Sequence, residues 1–185
     1  TDNVKHILGE MGSERIHLLS YRGDIKGVKM GVEEEGEDIE KRDKRGRTVL
    51  MCALIGLKGE KKEEGDYHRK KRMRLTSEEE VKNRYGLCKY LLDRGASVEA
   101  VDKRGSTPLM IASQEGHKEV CELLLDRGAS IDAADIFGKT PLMIASENGH
   151  KEVCELLLNK GARVDDVCYG RTPLMIASQE GHKNV

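Results

Sequence analysis

A period of 33 residues constrains this chain more than any other feature. Residues 116–125 recur without a change as 149–158, and Thr107-Pro108-Leu109-Met110-Ile111-Ala112-Ser113 recurs as Thr140-Pro141-Leu142-Met143-Ile144-Ala145-Ser146. A third copy opens at Thr172, repeats residues 107–118 identically through Lys183, and stops at Val185. Self-similarity of this length marks small units that stack, each covering its neighbour's apolar face. The composition suits such a stack. Charged residues make up 35% of the chain and aromatics 3%, against about 25% charged in an ordinary globular protein. That leaves little bulk for one large core, but enough Leu, Ile, Val and Ala for thin layers. An exposed half-repeat is a poor terminus, because end units need a polar outer face. The chain, which also lacks a starting Met, is therefore expected to be a piece of a longer one.

Each unit has a local physical reading. Thr107 before Pro108 predicts a helix start, with the hydroxyl capping free N–H groups and proline fitting the first helical position. Leu109 and Ala112 face one way, and this short helix should end at Gly116. Val120, Leu123 and Leu124 form an i, i+3, i+4 stripe on a second helix, closed by a left-handed cap at Gly128. Asp102-Lys103-Arg104-Gly105 should then make a tight turn projecting from the stack. Neither helix could bury its apolar face alone.

With these residues the chain resembles the ankyrin repeat, whose pattern is Asp-x-x-Gly-x-Thr-Pro-Leu-His, a Gly-His pair, then Leu-Leu and Gly-Ala. The resemblance implies an all-α fold, an ankyrin-repeat solenoid of stacked helix-turn-helix units with projecting β-turn fingers. It covers about residue 13 to the end, apart from one insertion. Residues 13–40 resemble a degenerate capping repeat and 41–100 a repeat interrupted at about 57–84. Residues 101–133 and 134–166 are two full repeats and 167–185 a truncated one, with 1–12 unassigned. The family's His after Thr-Pro-Leu is Met here (Met51, Met110, Met143, Met175), which exchanges a polar register for apolar packing. Glu99, Asp132 and Asp165 stand where the family usually has Asn. The last finger, Val167-Cys168-Tyr169-Gly170, is one residue short.

Chemistry-bearing patterns point away from catalysis. His117 and Cys121, like His150 and Cys154, have the four-residue spacing of two metal ligands on a helix, yet no further ligand converges, so no metal is expected. Ser113, Ser146 and Ser178 occupy a small-residue packing position. There is no Gly-x-Ser-x-Gly elbow, phosphate loop or paired-acid cleft, and His6, His17, His68 and His182 are scattered. No enzyme activity and no cofactor are expected. Cys88, Cys121 and Cys154 recur at the repeat period in apolar helical contexts. Stacked helices lie about 8–10 Å apart, too far for a disulfide, so these thiols should be reduced and buried. Cys168, on the short finger, should react first. A net charge of -1 creates no field toward nucleic acid or membrane, and no apolar run is long enough to span a bilayer.

The insertion is the part the repeat does not explain. It opens as a polar stretch expected to be disordered, then carries the basic run Arg69-Lys70-Lys71-Arg72 with Arg74. A capping box at Ser77 and Glu80 starts a helix with Val81, Tyr85, Cys88 and Leu92 on one face, longer than its counterparts. The basic run reads first as a solvated loop, next as a nuclear-import or docking signal, and least as a direct nucleic-acid patch. The expected location is intracellular, cytoplasmic unless that signal operates, and the expected state monomeric.

The resemblance implies a non-catalytic module that holds a partner protein on the concave face made by fingers and first helices. Carried over position by position, that face comprises Lys44, Arg45, Arg47, Lys103, Arg104, Ser106, Gln114, Glu115, Ile136, Phe137, Lys139, Glu147, Asn148, Cys168, Tyr169, Arg171, Gln179 and Glu180. The favoured contacts are those from Lys103 to Arg171 apart from Cys168, with Phe137 and Tyr169 as anchors and Arg104 and Arg171 gripping carboxylates. The alternatives are a regulatory array attached to an enzyme or channel outside this segment, or a nuclear adaptor using the basic insertion.

Overall fold

The computed structural model describes residues 15–55 and 77–185, with side chains in the second stretch from residue 81. Residues 1–12, the basic run Arg69–Arg74, and the capping-box side chains of Ser77 and Glu80 lie outside the described residues. Among the described residues there are nine helices: α1 Arg15–Tyr21, α2 Ile25–Glu33, α3 Val49–Ile55, α4 Ser77–Asp93, α5 Pro108–Glu115, α6 Lys118–Asp126, α7 Pro141–Glu147, α8 Lys151–Asn159 and α9 Pro173–Gln179. Extended pairing among them is confined to two isolated bridges, Arg42 with Thr48 and Cys168 with Arg171.

The helices stack in two layers. The first helices of successive units, α1, α3, α5, α7 and α9, pack in a row, and the second helices α2, α4, α6 and α8 pack in another behind them. The starts of α5, α7 and α9 follow from their sequences. The hydroxyls of Thr107, Thr140 and Thr172 accept from the N–H groups of Met110, Met143 and Met175 at 3.3–3.4 Å, with proline in the first turn. Each internal unit contributes a thin apolar layer, of which Leu50, Leu54, Leu87, Leu91, Leu109, Leu124 and Leu157 are fully enclosed. Met51, Met110 and Met143 are likewise buried, so methionine does replace the polar register with packing there, whereas Met175 on α9 is exposed.

Helix α4 is longer than α6 and α8, with 17 residues against 9 in each. Its expected apolar face holds at Cys88 and Leu92, which are buried, but not at Val81, which is exposed. Among the described residues, no helix covers position 81 in the added turns. Burial in the layers pushes the thiols of Cys52, Cys88 and Cys121 up to about 12. All five cysteines are free and buried.

Candidate binding face

Three fingers project from the first-helix edge, and their shape is written in their aspartates. Asp43 Oδ1 accepts from the N–H groups of Arg45 and Arg47, Asp102 Oδ1 from Arg104 and Ser106, and Asp135 Oδ1 from Phe137 and Lys139, all at 2.8–2.9 Å. A carboxylate that gathers two backbone donors fixes the turn and lifts the side chains between them toward solvent. Consecutive fingers are joined by single backbone bonds: Lys103 N–H donates to the Arg45 carbonyl at 3.1 Å and Ile136 N–H to the Arg104 carbonyl at 3.0 Å.

The fourth finger breaks this pattern and corrects the expectation for Cys168. Cys168 and Arg171 exchange backbone bonds at 3.0 Å each way, closing a two-residue turn. Both central residues have positive φ, Tyr169 at 50° and Gly170 at 72°, as in the I′ turn of tight hairpins. With one residue missing, the chain offers a sulfur where the other fingers offer an aspartate. Cys168 Sγ donates to the Phe137 carbonyl at 3.1 Å and is 5% exposed. It closes the third finger junction and is not the open thiol expected from a short finger.

Three further ties recur along the stack. His117 Nε2 meets the Leu54 carbonyl at 3.2 Å, His150 the Gln114 carbonyl at 2.9 Å and His182 the Glu147 carbonyl at 3.0 Å. His117 and His150 make no cap for their own helices, because their rings reach across to the preceding unit. Cys121 Sγ lies 3.9 Å from Ser113 Oγ and Cys154 Sγ 3.7 Å from Ser146 Oγ, so the His and the Cys of each pair considered as metal ligands engage different neighbours. Glu40, Glu99 and Asp132 accept from the N–H groups of Ser97, Ser130 and Arg163 at 2.7–3.0 Å. On the far side, Arg94 pairs with Glu33, Arg127 with Asp93 at 2.6 Å and Lys160 with Asp126 at 3.0 Å.

Two open hollows lie along the edge made by the fingers and first helices. Between the first and second fingers lies an open hollow of about 460 Å³, lined by Lys44, Arg45, Arg47, Lys103, Arg104 and Ser106 over a floor of Ile55 and Ile111. A second, smaller hollow continues from it, where Arg104, Ser106, Gln114, Phe137, Lys139, Glu147 and Asn148 surround Ile111 and Ile144. The structure thus gathers seven of the twelve favoured residues into the second hollow and places Lys103 in the first. Glu115, Ile136, Tyr169 and Arg171 line neither hollow. Ile136, Phe137 and Tyr169 stand out from the fingers at 66%, 47% and 73% exposure.

Charge on this face is more local than a residue count suggests. Lys139 Nζ is held by Glu147 at 2.6 and 2.9 Å, Arg171 Nη1 by Gln179 Oε1 at 2.6 Å, and the Asn148 amide turns back to the Ile144 carbonyl at 2.8 Å. Arg47 grips Asp43 with two nitrogens at 2.8 and 2.5 Å and lies over the Tyr21 ring. Burial would raise the Asp43 pKa, but the bonds from Arg47 and Arg45 outweigh it and hold the carboxyl below its usual range. Among the described residues, the side chains of Arg45, Lys103 and Arg104 have no such partner.

One structural residue escaped the sequence reading. Arg84 Nη1 donates to the Ala53 carbonyl at 2.6 Å and to that of Leu54 at 3.4 Å, closing the end of α3 just where the insertion departs. Its signal was one period upstream of His117 in the sequence, hidden by the insertion.

Compared with known families, residues 80–135 and 132–185, more than half of the chain, match the model described as ankyrin repeats (3 copies). No curated protein matches the chain significantly.

Proposed function

The chain belongs to the ankyrin repeat family, whose repeats generally serve as protein-interaction modules, and from that premise we propose that this segment is non-catalytic and holds a partner protein along the concave face. The observation that carries the reading is the division of labour among side chains. Histidines, acidic residues and finger backbones tie unit to unit, while Ile136 and Phe137 project from a fixed turn without supporting any buried layer. Exposed apolar bulk on a rigid element, rimmed by arginine and lysine, is the composition of a binding hot spot. The contact set is Lys103, Arg104, Ser106, Gln114, Glu115, Ile136, Phe137, Lys139, Glu147, Asn148, Tyr169 and Arg171, with Lys139 and Arg171 acting through their paired rather than free forms.

The test compares two variants against a partner obtained by affinity capture. Phe137→Ala should weaken binding by about 1–2 kcal/mol with unchanged helical circular dichroism, because the bond from Cys168 reaches its backbone and not its ring. Glu122→Ala, exposed on α6, should have no effect. A larger loss from Glu122 than from Phe137 would move the interface to the opposite side.

A further inference from the structure

The concave face is chemically unequal along its length. The hollow between the first and second fingers presents Arg45, Lys103 and Arg104, none of which has a carboxylate partner among the described residues. Asp102, in its wall, already gives Oδ1 to two backbone N–H groups. In the adjoining hollow Lys139 is paired with Glu147 within hydrogen-bonding distance, and Phe137, Ile111 and Ile144 supply apolar surface beside the uncharged polar groups of Ser106, Gln114 and Asn148. One end of the face therefore carries more cations than anions, and the other leaves the Phe137 ring without apolar cover.

Resting on the concave-face reading above, we propose that the occupant is an extended peptide segment of the partner that carries acidic residues about three positions from an apolar residue. The carboxylates lie over Arg45, Lys103 and Arg104, and the apolar side chain lies against Phe137. The spacing follows from the stack. Neighbouring packed helices lie about 8–10 Å apart, so the two hollows are separated by about that distance. An extended chain advances about 3.3 Å per residue, which sets the two recognition elements about three residues apart. Arginine suits the acidic end because its fork takes a carboxylate with two parallel bonds. The two hollows share Arg104, Ser106, Ile111 and Gln114, so a single strand can pass from one to the other.

The experiment is fluorescence anisotropy with labelled Gly/Ser dodecapeptides carrying a Glu-Glu pair and a Leu-Leu pair offset by one, three or six positions. The three-position peptide should bind at least about threefold more tightly than the other two, and salt should weaken it. Combining Arg45→Glu with Arg104→Glu reverses the side-chain charge while leaving both finger carbonyls in place. It should cost at least about tenfold for every acidic peptide. Phe137→Ala should weaken the three-position peptide and leave a Glu-only peptide unchanged. Equal binding at all offsets, equal binding of Lys-for-Glu peptides, or tighter binding of labelled dT12 than of the best peptide would each overturn the proposal. Failure of every peptide to exceed a plain Gly/Ser control overturns it too, while the concave-face reading is then judged separately by Phe137→Ala against the captured partner.

Discussion

Gly116 and Gly149 show how a single atom can be excluded by the unit next door. Both lie at positive φ, 75° and 73°, where a side chain is strained by about 1–2 kcal/mol. Both also sit under an imidazole: a Cβ on Gly116 would fall 2.6 Å from His150 Nδ1, and one on Gly149 equally close to His182 Nδ1. Gly161 has a similar φ of 93° but open space around it. Gly161→Ala should therefore cost only the backbone strain. Gly116→Ala should cost that plus about 1 kcal/mol for the displaced bond between His150 and the Gln114 carbonyl. Urea denaturation of the two variants reads the difference, and equal midpoints would show that the imidazole moves aside freely.

At the scale of the helix, the end of α3 depends on a residue at the far end of the insertion. A single guanidinium nitrogen of Arg84 answers the last-turn carbonyls of Ala53 and Leu54, where positive charge also suits the helix dipole. Arg84→Ala should destabilise the protein by about 1.5–3 kcal/mol, and Arg84→Lys by less. The same variant has a second readout. Burial, then the charge of Arg84, lowers the His117 pKa from its usual 6.5. Neutral His117 thus stabilises the fold fully above about pH 6.5, and that contribution is lost as pH falls toward the lower folded value, because the unfolded chain binds the proton first. Removing Arg84 should raise the His117 pKa in an NMR titration and flatten that acid-side loss. An unchanged titration would mean that the guanidinium does not face the ring. Helices and turns were legible in the sequence because Thr-Pro caps, helical apolar spacing and Asp-x-x-Gly turns act locally. Cys168 was misread because losing one residue reverses where a side chain points, which depends on the register of the preceding finger. The Lys139–Glu147 pair was also missed, since eight residues apart across a finger and a helix matches no helical period.

At the scale of the whole molecule, each inter-unit tie described above joins a unit to the next one, so stability should vary along the stack and not across it. Leu109 and Leu142 are sealed by neighbours on both sides, whereas their counterpart Leu174 on α9 is 73% exposed. Hydrogen exchange in this chain should therefore be slowest in α5, α6 and α7 and fastest in α1 and α9. Exchange at one uniform rate throughout would instead indicate a single cooperative block.

The repeated ties have a mechanical consequence. A finger bond, an imidazole bond, an acid-to-backbone bond and an outer ion pair bind the central units at well-separated points of each interface. A load applied at the two ends of the chain would cross these interfaces in series, so each carries the full force. The weakest should yield first and release one unit's length of chain while the others hold. Extension under tension would then proceed in steps of nearly equal size, making the array a graded spring whose travel grows with its number of layers.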